Sequence, residues 1–183
     1  MKKKTTDRII GLSAILISFL TLVIFIYQTN IVHKQSRLSV TPRLGFNTQF
    51  ISYNDSLVTY TCILENKGIG PAIVQSAKIE LNGKKYSLDM DDFFSTMYPK
   101  LQNLGVFIDL SNINLGSTLS SNETKKIFSF QFNNINSQKI LSYLKMKDGN
   151  DLPFKIEIIY NSIYEDEKWK IDSKENTNPI KLA

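Results

Sequence analysis

Few residues in this chain could do chemistry, and their placement decides most of the question. His33 is the only histidine and Cys62 the only cysteine among 183 residues. A Ser-His-Asp or Cys-His arrangement needs an imidazole within hydrogen-bond reach of its nucleophile. His33 follows directly on an apolar run that ends at Val32, apart from the rest of the chain. One cysteine forms no internal disulfide and no cysteine-based zinc site. Cys62 alternates with core-type residues, which predicts a buried small hydrophobe. The best acid cluster, Asp89, Asp91 and Asp92, lacks the one-three-five spacing and closing glutamate of an EF-hand calcium loop. It reads instead as the cap of a following helix. Acid–base sites usually recruit histidine or closely paired carboxylates. The expectation is therefore a protein that is not an enzyme, with no catalytic residue, no cofactor and no metal.

The stretch with the most specific spacing runs Tyr60-Thr61-Cys62-Ile63-Leu64-Glu65-Asn66-Lys67-Gly68-Ile69-Gly70-Pro71-Ala72. A phosphate loop would need a helix after it, a Lys-Ser/Thr ending and more glycine; a strand pattern follows instead. Asn66, Gly68, Gly70 and Pro71 read as a structural turn. Asn66 can bond the turn backbone, Gly68 and Gly70 permit positive φ, and Pro71 fixes the start of the next strand. Across residues 58–83 this pattern, an apolar strand ending in Asn-x-Gly and then a small residue and another strand, resembles bacterial immunoglobulin-like modules of the cell-adhesion-related kind. That resemblance implies that the turn joins the second and third strands of a sandwich. The later run from Ile156 to Tyr164, with Trp169, is similar to small single-pass anchored bacterial proteins. The abundance of Asn, Lys and Ile fits an AT-rich bacterial genome.

The elements that must hold these residues begin with an apolar segment. Residues 9–32 contain no charge, and the first 19 positions span roughly 28 Å as a helix, about the thickness of a bilayer's hydrocarbon core. No small-x-small cleavage site follows, so an uncleaved transmembrane anchor is expected. Gly11, Ala14, Ser18 and Thr21 recur at three- and four-residue steps and form a small-residue packing face. Of 22 basic and 17 acidic side chains, seven and one lie in residues 1–43, leaving 15 and 16 beyond. The basicity thus flanks the apolar run, where it meets anionic lipid, and gives no basic face for nucleic acid. Four basic residues precede the span and three follow, so the positive-inside rule puts the N-terminus in the cytoplasm and the domain outside it.

Beyond the span, period-two alternation predicts half-buried strands. Leu38, Val40, Leu44 and Phe46 are assigned to the first, then Val58, Tyr60, Cys62 and Leu64, then Ile73, Ala77, Ile79 and Leu81. Asn82-Gly83 predicts a two-residue hairpin with Ile79 opposite Tyr86 and Ala77 opposite Leu88. Later strands are expected at 106–113, 126–132, 154–160 and 168–171. Helical spacing predicts two short helices, one around Phe93 to Leu104 divided at Pro99, and one at 137–147 burying Ile140, Leu141 and Leu144.

The predicted organisation is a basic N-terminal tail at 1–8, a transmembrane helix at 9–32, and a juxtamembrane segment at 33–43 leading into the first strand. A β-sandwich at 44–172 and a polar tail at 173–183 complete it. The fold class is mainly β, an immunoglobulin-like sandwich with two short helical insertions, preceded by one transmembrane helix. The expected role is a membrane-anchored binding or scaffolding module. Its partners would be membrane lipid, a protein, and a second copy through the transmembrane helix, with no nucleic acid. A sensor or effector subunit of a bacterial defence or toxin system, acting through that helix, is the alternative.

Overall fold

A computed structural model describes residues 2–54, 56–81, 83–87, 93, 103–143, 155–165, 167–174 and 178–182. The chain divides into two units, Met1–Ser39 and Val40–Ala183. In the first, α1 is one uninterrupted helix, Lys2–Leu38. It contains no proline, and its single glycine, Gly11, does not break it. The helix continues past both ends of the 9–32 apolar run. Leu38 therefore closes α1 rather than opening a strand, and the first strand begins only at Leu44. Pro42, which has no N–H to give a ladder, lies in the irregular segment between them.

The second unit is built from two antiparallel sheets. The strands are β1 (Leu44–Asn54), β2 (Leu57–Asn66), β3 (Ala72–Leu81), β4 (Lys84–Ser87), β5 (Gly105–Leu110), β6 (Thr118–Leu119), β7 (Thr124–Asn133), β8 (Lys155–Asn161), β9 (Lys168–Asp172) and β10 (Ile180–Leu182). One sheet has the order β1-β2-β7-β5; the other runs β10-β9-β8-β3-β4, with β6 also paired to β3. A 3₁₀ turn at Asn134–Asn136 leads into α2, Ser137–Tyr143. The Asn133 side chain caps that turn by accepting from the Ile135 N–H at 3.0 Å.

Alternation decides which side chains meet. Val58, Tyr60 and Cys62 of β2 stand opposite Phe132, Phe130 and Phe128 of β7. All six are at most 5% exposed. Burying one such phenylalanine contributes about 2 kcal/mol, which makes this pair of strands the centre of the fold. Val74, Ile79, Ile156, Ile158, Tyr160, Trp169 and Ile171 of the other sheet join the same hydrophobic cluster. On the opposite face of the first sheet, Thr61 and Ser129 share a hydrogen bond of 3.0 Å and are also buried. Strand β2 is thus enclosed on both faces from Val58 to Ile63.

The hairpin register is as the Asn-Gly signal predicts. Ile79 faces Tyr86, and Gly83 has φ of +80°; Leu88 lies outside the described residues. The assignment of β3 needs correcting. A register shift between Val74 and Ser76 leaves Gln75 as an extra residue, so Val74, fully buried, faces the core where Ile73 was expected. Such a bulge moves every residue before it to the other face. The segment read as a polar tail carries β10, which pairs with Trp169 and its neighbours on β9. Of the first helical insertion, Phe93 is helical and buried against Tyr86, with ring centroids 5.7 Å apart. Asp89, Asp91, Asp92 and Pro99 lie outside the described residues. Within α2, Ile140 is buried as expected, and Leu144 lies outside the described residues.

Tyr160 links the two sheets through one polar contact. Its ring stacks on Trp169 at 5.9 Å, and its hydroxyl accepts the Leu44 N–H at 3.2 Å. Burial pushes its pKa up to about 12, opposed in part by the Leu44 hydrogen bond and the charge of Arg43. The folded value exceeds the unfolded one, about 10. Stability from this group is therefore complete below about pH 10 and lost as pH rises through about 12. A fragment of residues 37–183 should be soluble, β-rich by circular dichroism and cooperative on heating, because every strand lies within it. In that fragment Tyr160→Phe should cost about 1–3 kcal/mol, since it orphans a buried N–H. It should also flatten the fall in urea midpoint between about pH 10 and 12.

Candidate functional site

The turn read from Asn-x-Gly-x-Gly-Pro is a junction of three chain segments. Asn66 ends β2 at 1% exposure. Its Oδ1 accepts from the Arg43 N–H at 3.1 Å and the Gly68 N–H at 2.9 Å. Its Nδ2 lies within hydrogen-bond range of three carbonyls, Gly70 at 2.8 Å and Leu119 and Ser120 at 3.1 Å each. The Asn66 backbone N–H donates to Glu123 O, and its carbonyl accepts from Asn122 N–H, each at 2.9 Å. One amide therefore ties the segment before β1, its own turn, and the turn before β7.

The reason for the two glycines differs from the one expected. Neither Gly68 nor Gly70 has positive φ. A Cβ on Gly68 would overlap the backbone of Thr41, Pro42 and Arg43; one on Gly70 would overlap the Val40 carbonyl. They are small because another stretch of main chain lies against them. Backbone bonds hold that stretch in place: Lys67 N–H to Arg43 O at 2.8 Å and Ile69 N–H to Thr41 O at 3.1 Å. Ser121 adds a hydroxyl bond to Gly68 O at 2.7 Å. Pro71 is half-buried just before β3. Sequence reading placed Asn66, Gly68, Gly70 and Pro71 in one turn. It missed residues 40–43 and 119–123 as their partners, because nothing local marks a contact made across so many residues.

The four residues of the helix packing face are brought into line by α1, all of them exposed. A side chain at Gly11 would meet nothing within 4 Å. The hydroxyls of Ser18 and Thr21 donate back to Ala14 O at 2.9 Å and Ile17 O at 2.8 Å. Their donors are spent inside the helix, so this face offers close approach rather than an interhelical hydrogen-bond donor.

The remaining candidates are His33 and Cys62. His33 is exposed on α1. Cys62 is fully buried, and burial raises its thiol pKa far above the ordinary value; a thiol so held is not a nucleophile. Among the described residues no group of His, Cys, Asp and Glu is placed to hold a metal. Asn66→Ala in residues 37–183 should cost about 3 kcal/mol or more in urea unfolding, because two backbone donors and three carbonyls lose their partner. Gly70→Ala should be at least as damaging, while Asn47→Ala on β1 should change the midpoint little. Compared with known proteins, the chain matches no family model, no curated protein and no solved structure.

Proposed function

We propose that this chain is a membrane-anchored, non-enzymatic binding or scaffolding module, with α1 crossing a bacterial membrane once and the β domain engaging a protein partner beside it. The observation that carries the reading is α1 itself. It is long and apolar enough to cross a membrane, and its large apolar side chains from Ile9 to Val32 are between 38% and 73% exposed. A surface of that kind is stable in lipid and not in water. Basic side chains at both ends of the apolar run suit lipid headgroups.

The domain is read as an immunoglobulin-like sandwich, and its strand order supports this. β1-β2-β7-β5 corresponds to A-B-E-D, and β9-β8-β3-β4 to G-F-C-C′. β10 is then an addition beside G, and the Asn66 turn joins B to C as the residue pattern implies. Such a domain offers loops and sheet faces for protein recognition. The clamp on residues 40–43 supports a scaffolding role, because it fixes where the chain leaves the domain, a few residues from the span.

Three experiments test this reading. Alkaline phosphatase fused after Ala183 should be active, as expected for a cytoplasmic N-terminus and an external domain; an active cytoplasmic reporter at that position would reverse the orientation. In a transmembrane association assay on residues 5–36, wild type should exceed background, and Ala14→Leu/Ser18→Leu should abolish the signal by holding the backbones apart. Equal background signals from both would remove self-association through this face. Affinity purification of the full chain from native membranes should then recover a protein partner, and recovery of lipid alone would remove the scaffolding role.

A further inference from the structure

Among the described residues the outer edge of β3 is interrupted. β6 pairs with it at Ala72 and Ile73, and β4 pairs with it from Lys78 to Leu81. Between them Val74 is held by the neighbouring loop, through Val74 N–H to Ser117 O and Gly116 N–H to Val74 O, each at 2.8 Å. Gln75, Ser76 and Ala77 are paired by no described strand on that side and border a groove of about 350 Å³. Its floor includes Tyr86, packed on Phe93, and the buried Ile113. The bulge at Gln75 is what opens this edge: two residues of β3 occupy the space of one on β8.

The chemistry of the groove is one-sided. Lys78 and Lys85 stand at its rim, with Gln75, Ser76, Ser87 and Asn114 around them. No carboxylate lines it among the described residues. The acids closest in register are Glu157, opposite Lys78, and Glu80, opposite Lys85. Glu157 is taken by Lys170 at 2.5 Å, while Lys155 goes to Asp172 at 3.1 Å. Among the described residues Lys78 and Lys85 form no ion pair, although Glu80 and Glu157 share a small adjoining cleft with them. On the same sheet face, then, the other lysines of β8 and β9 near this point are neutralised, and the two beside the groove are not.

The geometry points to a binding site for a compact anion, a small molecule carrying a phosphate or carboxylate group, with Lys78 and Lys85 as its charge partners. Gln75, Ser76, Ser87 and Asn114 supply neutral donors. A groove of this volume is at the lower end of small-molecule sites. An extended peptide does not fit, because β4 and the loop at 114–117 close the edge at both ends of a three-residue gap. Two ammoniums beside neutral donors recognise an anion as point charges, without the fixed fork of arginine. The assignment stands apart from the protein-partner reading, since it concerns a different surface and a different class of ligand.

The test uses the full chain, isotopically labelled, in zwitterionic micelles. Pyrophosphate and citrate are titrated in separately and amide shifts are followed. Saturable shifts centred on Gln75, Ser76, Ser87 and Asn114 are expected. They should weaken about tenfold or more in Lys78→Gln/Lys85→Gln, the size expected for losing charge-assisted bonds. Lys78→Arg/Lys85→Arg should retain binding, and so should Lys168→Gln on β9. A second arm replaces the micelle with bilayer discs, with or without an anionic phospholipid. The same shifts in anionic discs without added probe identify a lipid headgroup as the source of the anion; shifts with the free probes alone identify a soluble molecule. Shifts spread evenly over exposed lysines, or equal affinity in wild type and the double glutamine variant, would overturn the site. Unchanged spectra away from the groove in each variant show that the fold is intact.

Discussion

Everything in the β domain near its first residue depends on one buried primary amide. Asn66 presents an acceptor and a donor group in fixed opposition, and the chain arranges N–H groups on one side of it and carbonyls on the other. No other side chain of that size offers both. Aspartate would set a carboxylate against three carbonyl oxygens, and leucine would take away the partner that all five groups share. The two glycines follow from the same constraint. Because Asn66 draws Arg43 toward its own turn, the main chain at residues 40–43 passes where a Cβ of residue 68 or 70 would lie. Leu44, the next residue, is then at the height of the Tyr160 hydroxyl. The amide, the glycines and the tyrosine thus act in sequence to fix where β1 starts.

How much of this is legible in the residues depends on range. Alternation reveals β2 and β7 because their inward positions are uniformly apolar, and the Asn82-Gly83 pair fixes the β3–β4 register because a two-residue turn leaves no freedom. Alternation misleads in β3, since Ile73 and Val74 are both apolar and only the bulge at Gln75 decides which faces in. It misleads at Leu38 as well. A helix and a strand both accept leucine there, and the apolar pattern on either side continues through it. β10 escapes because Ile180-Lys181-Leu182, three residues following Asn178-Pro179, are too few to show a period. In the Asn66 junction the turn is visible, but its purpose is not. Asn-x-Gly-x-Gly suits a turn with positive φ and a turn pressed against main chain equally well, and only the position of residues 40–43 separates the two.

In the long apolar helix α1 the limit is of another kind. Spacing places Gly11, Ala14, Ser18 and Thr21 on one side, and continuous helix from Lys2 to Leu38 keeps them there. Spacing does not show that Ser18 and Thr21 bond back to their own carbonyls. In hydrocarbon those bonds are the available way to satisfy a hydroxyl before a partner arrives. Exchanging one for an interhelical bond gains little, because a bond is given up for each one made. What this face offers a second helix is smoothness, and the proposed association through it would rest on dispersion contacts between closely approaching backbones.

The charge pattern completes the argument from position rather than from totals. The domain is nearly neutral, so its average field favours no ligand. Sheet register breaks that average into neighbourhoods: cross-strand pairing brings Lys170 to Glu157 and Lys155 to Asp172. Asp172 is fully buried, and a carboxylate so placed requires a cation beside it. Lys155 supplies that cation, and Lys170 pairs with Glu157, which also stands opposite Lys78 in register. The positive charge that remains is displaced toward the interrupted edge of β3, where the bulge has already opened a groove.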